Sequence, residues 1–287
     1  RRASLGAPAV LGVPQASAAT PPKPSSAASP KPSVAELKAA LLAAIPATAT
    51  GRPATNVTEP RCAAAVERAA AALEASYGAR GATRDPRLGG GWRLLYSDAP
   101  EITNLAALPL GFRLGAVSQP FDVASGTFEN QGRILHATGL AEASTRVVGE
   151  FARATKGSLN AAGVPNDRDD RVDVDFRRVV FQLDAVAGHP VADVRKVVRP
   201  RPDPALARPA VDVTYLDDDL RAARGGDGAL FVLARDAAPP PMLGAAEREK
   251  IYALDASAVT SGAGLTNWSK TTSGVIAGRD DAASRLR

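Results

Sequence analysis

Two textures of apolar and polar residues divide the chain. Between Ser33 and Gly78 the apolar positions recur every three or four residues, whereas from Gly89 to Arg235 they alternate in short runs broken by Gly, Pro and Asn. Ser33-Val34-Ala35-Glu36 is a capping box, with Ser at the cap and Glu three residues on. Leu37, Leu41, Leu42 and Ile45 follow at helical spacing until Pro46 stops the helix. A second helix is predicted over residues 60–77, with Val66, Ala70, Leu73 and Tyr77 on its apolar side and Gly78 as its stop.

The alternating part reads as strands. Trp92, Leu94 and Tyr96 fall on one face of the first, and residues 117–128, 133–141 and 147–151 read as further strands. Over 172–183, Val172, Val174 and Phe176 face one way while Asp173, Asp175 and Arg177 face the other. The parity slips at Arg177-Arg178, because Val179, Phe181 and Leu183 continue on the opposite phase; either a bulge sits there or Arg178 points inward. Val211, Val213 and Tyr215 make one more half-buried strand, and segments 220–224 and 229–235 flank Gly225-Gly226-Asp227-Gly228, a hairpin signal. About eight strands behind two helices predict an α+β fold whose antiparallel β-barrel closes on itself. One short helical stretch, Ala245 to Leu254, follows Pro239-Pro240-Pro241, and no internal repeat is present.

The two ends do not read as fold. Arg1-Arg2, a modest apolar stretch and Ala16-Ser17-Ala18-Ala19 are similar to the end of a bacterial-type export signal, which in a plastid would direct a protein to the thylakoid lumen. An ordinary transit or linker remnant fits the same residues. A Pro/Ser-rich linker over 20–32 leads to the domain, expected over 33–236, and residues 237–287 form a C-terminal extension that is loosely ordered or serves for docking.

Composition narrows the chemistry. The chain is 45% apolar but only 5% aromatic, so much of its core must be built from small side chains. The net charge of +5 fits anionic head groups, nucleic acid or a soluble protein of biased composition, yet no Lys/Arg-rich run supplies a nucleic-acid footprint. Cys62 stands alone in an Ala-rich stretch and reads as a small buried apolar residue, so no internal disulfide forms. His136 and His189 are the only histidines and are not at metal-ligand spacing; Asp217-Asp218-Asp219 lacks a calcium-loop pattern, and one of its carboxylates is expected to pair with Arg221 or Arg224 while the rest are solvated. The longest apolar run is far short of the ~18–20 residues that span a bilayer, so membrane contact is expected to be peripheral. There is no G-x-S-x-G elbow and no phosphate loop, and Gly226-x-Gly228 and Gly262-x-Gly264 lack the third glycine of a dinucleotide site. Asn56-Val57-Thr58 and Asn267-Trp268-Ser269 match the glycosylation pattern by chance.

Three segments resemble the plastid lipid-associated protein (PAP/fibrillin) family: Gly91-Trp92-Arg93-Leu94-Leu95-Tyr96-Ser97; Val117-Ser118-Gln119-Pro120-Phe121-Asp122-Val123 with Gly126-Thr127-Phe128-Glu129-Asn130; and Thr214-Tyr215-Leu216-Asp217-Asp218-Asp219-Leu220-Arg221 with Arg224-Gly225 and Leu230-Phe231-Val232-Leu233. The third is the most specific. Thr155 to Asp169 and Arg199 to Pro209 depart from the family pattern as loop expansions, and Ala222-Ala223 replace larger residues in the last hairpin. The resemblance implies a lipocalin-like barrel in a chloroplast protein without a cofactor or catalytic residues, at thylakoids or plastoglobules. It further implies lipids or isoprenoid molecules (carotenoids, quinones, tocopherols or fatty acids) as cargo, a peripheral membrane surface as partner, and roles in lipid-droplet structure, photoprotection and photosynthesis. A filled barrel docked by its termini on a thylakoid complex such as a photosystem is the alternative.

Gly90-x-Trp92 also resembles the lipocalin opening motif, which implies that Trp92 closes one end of the barrel and that Arg221 stacks on it. Gly90, Asp217 and Arg224 are expected to support that closure. Trp92, Leu94, Tyr96, Val123, Val172, Val174, Phe176, Val213, Tyr215 and Phe231 are the expected apolar lining for a ligand.

Overall fold

A computed structural model describes residues 31–254 apart from 49, 79–80, 107, 192–193 and 201–208. The export-signal reading of the N-terminus, the centre of the Arg199–Pro209 expansion, Gly262-x-Gly264, the Asn267 pattern and the tail past Leu254 lie outside the described residues.

The helices form where their caps and spacing place them. Helix α1 (Val34–Ala44) starts at Ser33, whose Oγ accepts from the Glu36 N–H while the Glu36 carboxylate accepts from the Ser33 N–H at 2.7 Å, and it ends at Ile45 before Pro46. Helix α2 (Ala63–Ser76) buries Val66, Ala70 and Leu73 at i, i+4 and i+7. Cys62 precedes that helix and is only half-buried, its thiol donating to the Glu59 carbonyl at 3.1 Å. A short helix, α3 (Pro100–Thr103), follows the first strand, and α4 (Ala245–Ala253) lies near the C-terminus.

The strands are β1 (Gly91–Ser97), β2 (Phe112–Ser118), β3 (Phe121–Asp122), β4 (Thr127–His136), β5 (Ala141–Arg153), β6 (Arg171–Val186), β7 (His189–Pro190), β8 (Arg195–Val198), β9 (Ala210–Leu216), β10 (Leu220–Gly225) and β11 (Leu230–Asp236). Every pairing among them is antiparallel. They run in the order β2-β1-β11-β10-β9-β6-β5-β4, and β4 pairs back onto β2, so eight strands close a barrel-like ring. The seams are unequal. β5 and β6 pair along their whole length, whereas β1 and β2 share one register pair, Arg93 with Ser118. Past that point the two strands part, and the Ala54 backbone takes the vacated place beside β1, bonding to Leu95 O and Ser97 N–H.

Bulges decide which side chains face the interior. In β6 the register shifts so that Phe176 pairs with Gly149 and Arg178 with Val148, leaving Arg177 as the extra residue. Of the two sequence readings the bulge is the one realised: Val172, Val174 and Phe176 join the inner core, while the Arg178 Nη2 bonds the Tyr252 carbonyl on the outer face. Two further bulges correct the sequence reading. The β1 register skips between Leu94 and Tyr96, and the β9–β10 register skips Thr214. Each extra residue reverses the alternation, so Tyr96 and Tyr215 leave the lining and join a second core on the outer face. That outer core consists of Leu41 from α1, Val66, Ala70 and Leu73 from α2, and Leu220, Ala222, Leu230 and Val232 of the sheet. Residues 117–128 are not one strand either. Gln119-Pro120 breaks them after β2, and Asp122 turns the chain by accepting from the N–H groups of Ala124 (3.0 Å) and Ser125 (3.3 Å). Val123 therefore sits in an exposed turn and not in the lining.

Candidate functional site

The end of the ring at Trp92 is plugged. Gly90 has φ +96°, a conformation in which a Cβ would also stand 3.0 Å from the Arg235 guanidinium, and it swings the chain so that Trp92 enters the floor fully buried. The indole N–H donates to Leu88 O at 2.9 Å. The Arg221 guanidinium lies 5.1 Å from the Trp92 ring and 4.9 Å from the Phe121 ring, the stacking that the lipocalin resemblance implies. Arg235 lies closer, 3.8 Å from the indole, and clamps the floor by donating to Gly89 O and Arg87 O, each at 2.6 Å. Sequence reading missed Arg235, although Phe231, Leu233 and Arg235 share one strand parity and Trp92 faces Arg235 in register.

Arg221 is buried and, among the described residues, has no carboxylate partner. Its Nη2 donates to Gln119 Oε1, Gln119 in turn donates to Asn130 Oδ1 at 2.6 Å, and its Nε has no hydrogen bond. Burial, then the like charge of Arg235, push its pKa down to about 9, so it remains a cation at neutral pH. Among the described residues, the expected pairing of one of the Asp217-Asp218-Asp219 carboxylates with Arg221 or Arg224 is not formed. Asp217 accepts from Lys38 Nζ of α1 at 2.5 Å, from the Tyr215 hydroxyl at 2.6 Å and from the N–H groups of Asp219 and Leu220. Arg224 instead grips α2, with Nε 3.0 Å from Glu74 and Nη2 2.9 Å from Glu67. Both residues fasten helices to the outer face, away from the floor.

Above Trp92 the interior is filled by aromatic rings. Phe121 stacks on Phe128 at 5.5 Å, and Phe151 and Phe176 meet them at 5.0 Å and 5.8 Å. Gly149 is required there, since a Cβ would stand 2.4 Å from the Phe128 ring. Leu94, Val172, Val174 and Val213 belong to this inner core, with Phe176 and Phe231 packed against it. Of the ten expected lining residues, the ring thus gathers seven inside, the exceptions being Val123, Tyr96 and Tyr215.

Space opens elsewhere, beside the weak β1–β2 seam. A cleft of about 340 Å³ is lined by Thr50, Arg52, Pro53, Thr55, Thr58, Ile102, Arg113 and Leu114. Its apolar wall is continuous with the interior, because Leu114 is part of the inner core and Ile102 packs on it. Its polar wall is the loop between α1 and α2, stiffened by Thr55 and Thr58, whose hydroxyls lie 3.0 Å apart, and by Arg52 paired to Glu59 at 3.0 Å. This loop carries no periodicity, so nothing in the sequence announced it as a wall. Among the described residues no helix is long and apolar enough to cross a membrane, and no group of three or more His, Cys, Asp or Glu is placed to hold a metal.

No curated protein and no solved structure matches the chain. The PAP_fibrillin family model matches residues 35–234, from helix α1 through the last strand of the ring, and the chain belongs to that family of plastid lipid-associated proteins.

Proposed function

We propose that the protein is a non-catalytic plastid protein that binds lipids or small hydrophobic molecules of the prenyl, carotenoid or quinone type at thylakoids or plastoglobules. The observation that carries this reading is the cleft beside the β1–β2 seam: an apolar wall shared with the inner core and a polar wall of threonines with Arg52 line it, with Arg113 of β2 beside Leu114. Such a site suits a molecule with an oily chain and a polar end. Burying about 400 Å² of an isoprenoid contributes roughly 10 kcal/mol gross. Association costs of about 4–15 kcal/mol leave a weak to moderate net affinity and little discrimination among apolar cargoes.

The organic extract of protein isolated from its native membranes is expected to contain an apolar molecule by mass spectrometry, and Ile102→Glu, which puts a charge on the apolar wall, is expected to lose it. A lipid-free extract from natively isolated, folded protein overturns the reading. A second reading has its own support in the four phenylalanines that fill the ring. In it the protein is a structural subunit whose termini dock on a thylakoid complex such as a photosystem, and removing residues 237–287 abolishes co-sedimentation with that complex while leaving the ring folded.

A further inference from the structure

The end of the ring opposite Trp92 has a chemistry of its own. Three loop tips meet there: residues 108–111 before β2, 137–140 between β4 and β5, and 187–188 between β6 and β7. Backbone bonds join them. Ala137 N–H donates to Gly111 O and Ala187 N–H to Leu140 O, both at 2.8 Å, and His136 Nε2 lies 3.0 Å from Leu110 O. Asp, Glu, Lys and Arg make up 23% of the chain and alternate along most of it, yet none occurs in 109–112, 137–141 or 185–191. The titratable side chains at these tips are His136 and His189.

Apolar side chains stand in place of the charges. Leu110 is 85% exposed, Leu140 58%, Val186 44% and, on the adjoining hairpin, Val194 51%. Leu110 also has φ +59°, left-handed backbone in which a Cβ is strained and which glycine or asparagine would occupy at lower cost. Neither strain nor exposure is repaid within the fold, since the leucine side chain points into solvent. Both make sense if the leucine enters an apolar phase.

We infer that this end of the ring docks on a lipid layer with uncharged head groups, Leu110, Leu140 and Val186 entering the acyl boundary. The inference rests on the lipid-binding reading above and names the surface the protein would sit on. A lipid layer fits because the tips are separate convex projections: a fluid phase accepts them without matching pits, and no charge has to be stripped of water as they enter. Uncharged head groups fit because the charged residues next below the tips balance. Arg113 and Arg133 are matched in number by Glu142 and Asp184, and Arg133 already bonds Glu142 at 3.0 Å.

The test is flotation of the full chain with phosphatidylcholine vesicles, with and without phosphatidylglycerol. The wild type is expected to float on both, with affinity changing less than twofold between low and high salt. Leu110→Asn with Leu140→Ser is expected to weaken partition at least tenfold without lowering the melting temperature, because asparagine suits the left-handed site. Leu159→Ser, which removes a leucine that is 66% exposed on the β5–β6 loop, is expected to float like the wild type. Unchanged flotation of the double variant, equal loss in Leu159→Ser, or binding only to anionic vesicles at low salt each overturns the inference. Mass spectrometry of bound cargo separates the two ideas. Cargo without flotation defeats the docking surface alone, and flotation without cargo defeats the carrier reading alone.

Discussion

Asp217 shows how one carboxylate can join sequence-distant parts of the fold. Burial alone would raise its pKa, but hydrogen bonds from Lys38, Tyr215 and the N–H groups of Asp219 and Leu220 outweigh it and hold the group at about 2, below its ordinary 3.8. A depressed carboxylate favours the folded state above its unfolded pKa, and that support is lost as pH falls through the folded value. The contribution, about 2 kcal/mol, is therefore complete above about pH 4 and gone near pH 2. Asp217→Asn is expected to lower stability by about that amount at pH 7 and to flatten the acid limb of the stability curve between pH 4 and pH 2. Equilibrium denaturation at a series of pH values checks both, and an acid limb identical to the wild type would show that other carboxylates set it. At the floor, Trp92 and Arg221 were legible because the G-x-W pattern and the closing-strand arginine are local signals. The absence of a carboxylate near Arg221 was not, because pairing depends on where a side chain ends and not on how near it lies in sequence.

Elements were legible where a period or a cap defined them. The capping box at Ser33, the helix end just before Gly78 and the hairpin at Gly225–Gly228 all appear in the structure, and the period-2 segments became strands except that 117–128 is broken at Gln119-Pro120 and 133–141 by the turn at 137–140. What could not be read was the side of the sheet after a bulge. One extra residue at Leu95 and one at Thr214 move Tyr96 and Tyr215 from the interior to the helix-covered face, and the alternation W-x-L-x-Y carries no mark of it. The C-terminal helix was legible as an element, since Ala245 to Leu254 was expected to be helical and α4 spans Ala245–Ala253, but the face it packs on was not. The C-terminal segment straps the outer face: Leu243 N–H and Arg146 both bond Glu129, whose side chain is fully buried, and Ile251 of α4 packs with Val180 and Val197. Removing residues 237–287 uncovers that buried ion pair and those valines together. The truncated chain is expected to keep its strand signal by circular dichroism while its melting temperature falls by several degrees, and Ile251→Ala to cost about 2–4 kcal/mol by itself. A truncation that melts like the full chain would reduce the strap to decoration.

For the whole molecule the decisive feature is that the ring is closed unevenly. β5 and β6 pair across thirteen registered positions, whereas β1 and β2 meet at one, Arg93 with Ser118, and the loop between α1 and α2 occupies the gap beside the cleft. The β1–β2 seam has the fewest registered strand pairs in the ring, so it is the place where the molecule is expected to part at the lowest free energy. A filled interior is compatible with the proposed carrier function on this basis: a cargo held in the cleft along Leu114 and Ile102 would not have to pass the Trp92 plug or displace the phenylalanines. Hydrogen exchange read by mass spectrometry tests the hierarchy. Peptides covering 50–58 and 112–118 are expected to exchange faster than those covering 141–153 and 171–186, and an added quinone or carotenoid to slow only the first pair. Exchange that is uniform around the ring, or protection that appears at the Trp92 floor instead, would mean that cargo does not enter through the seam.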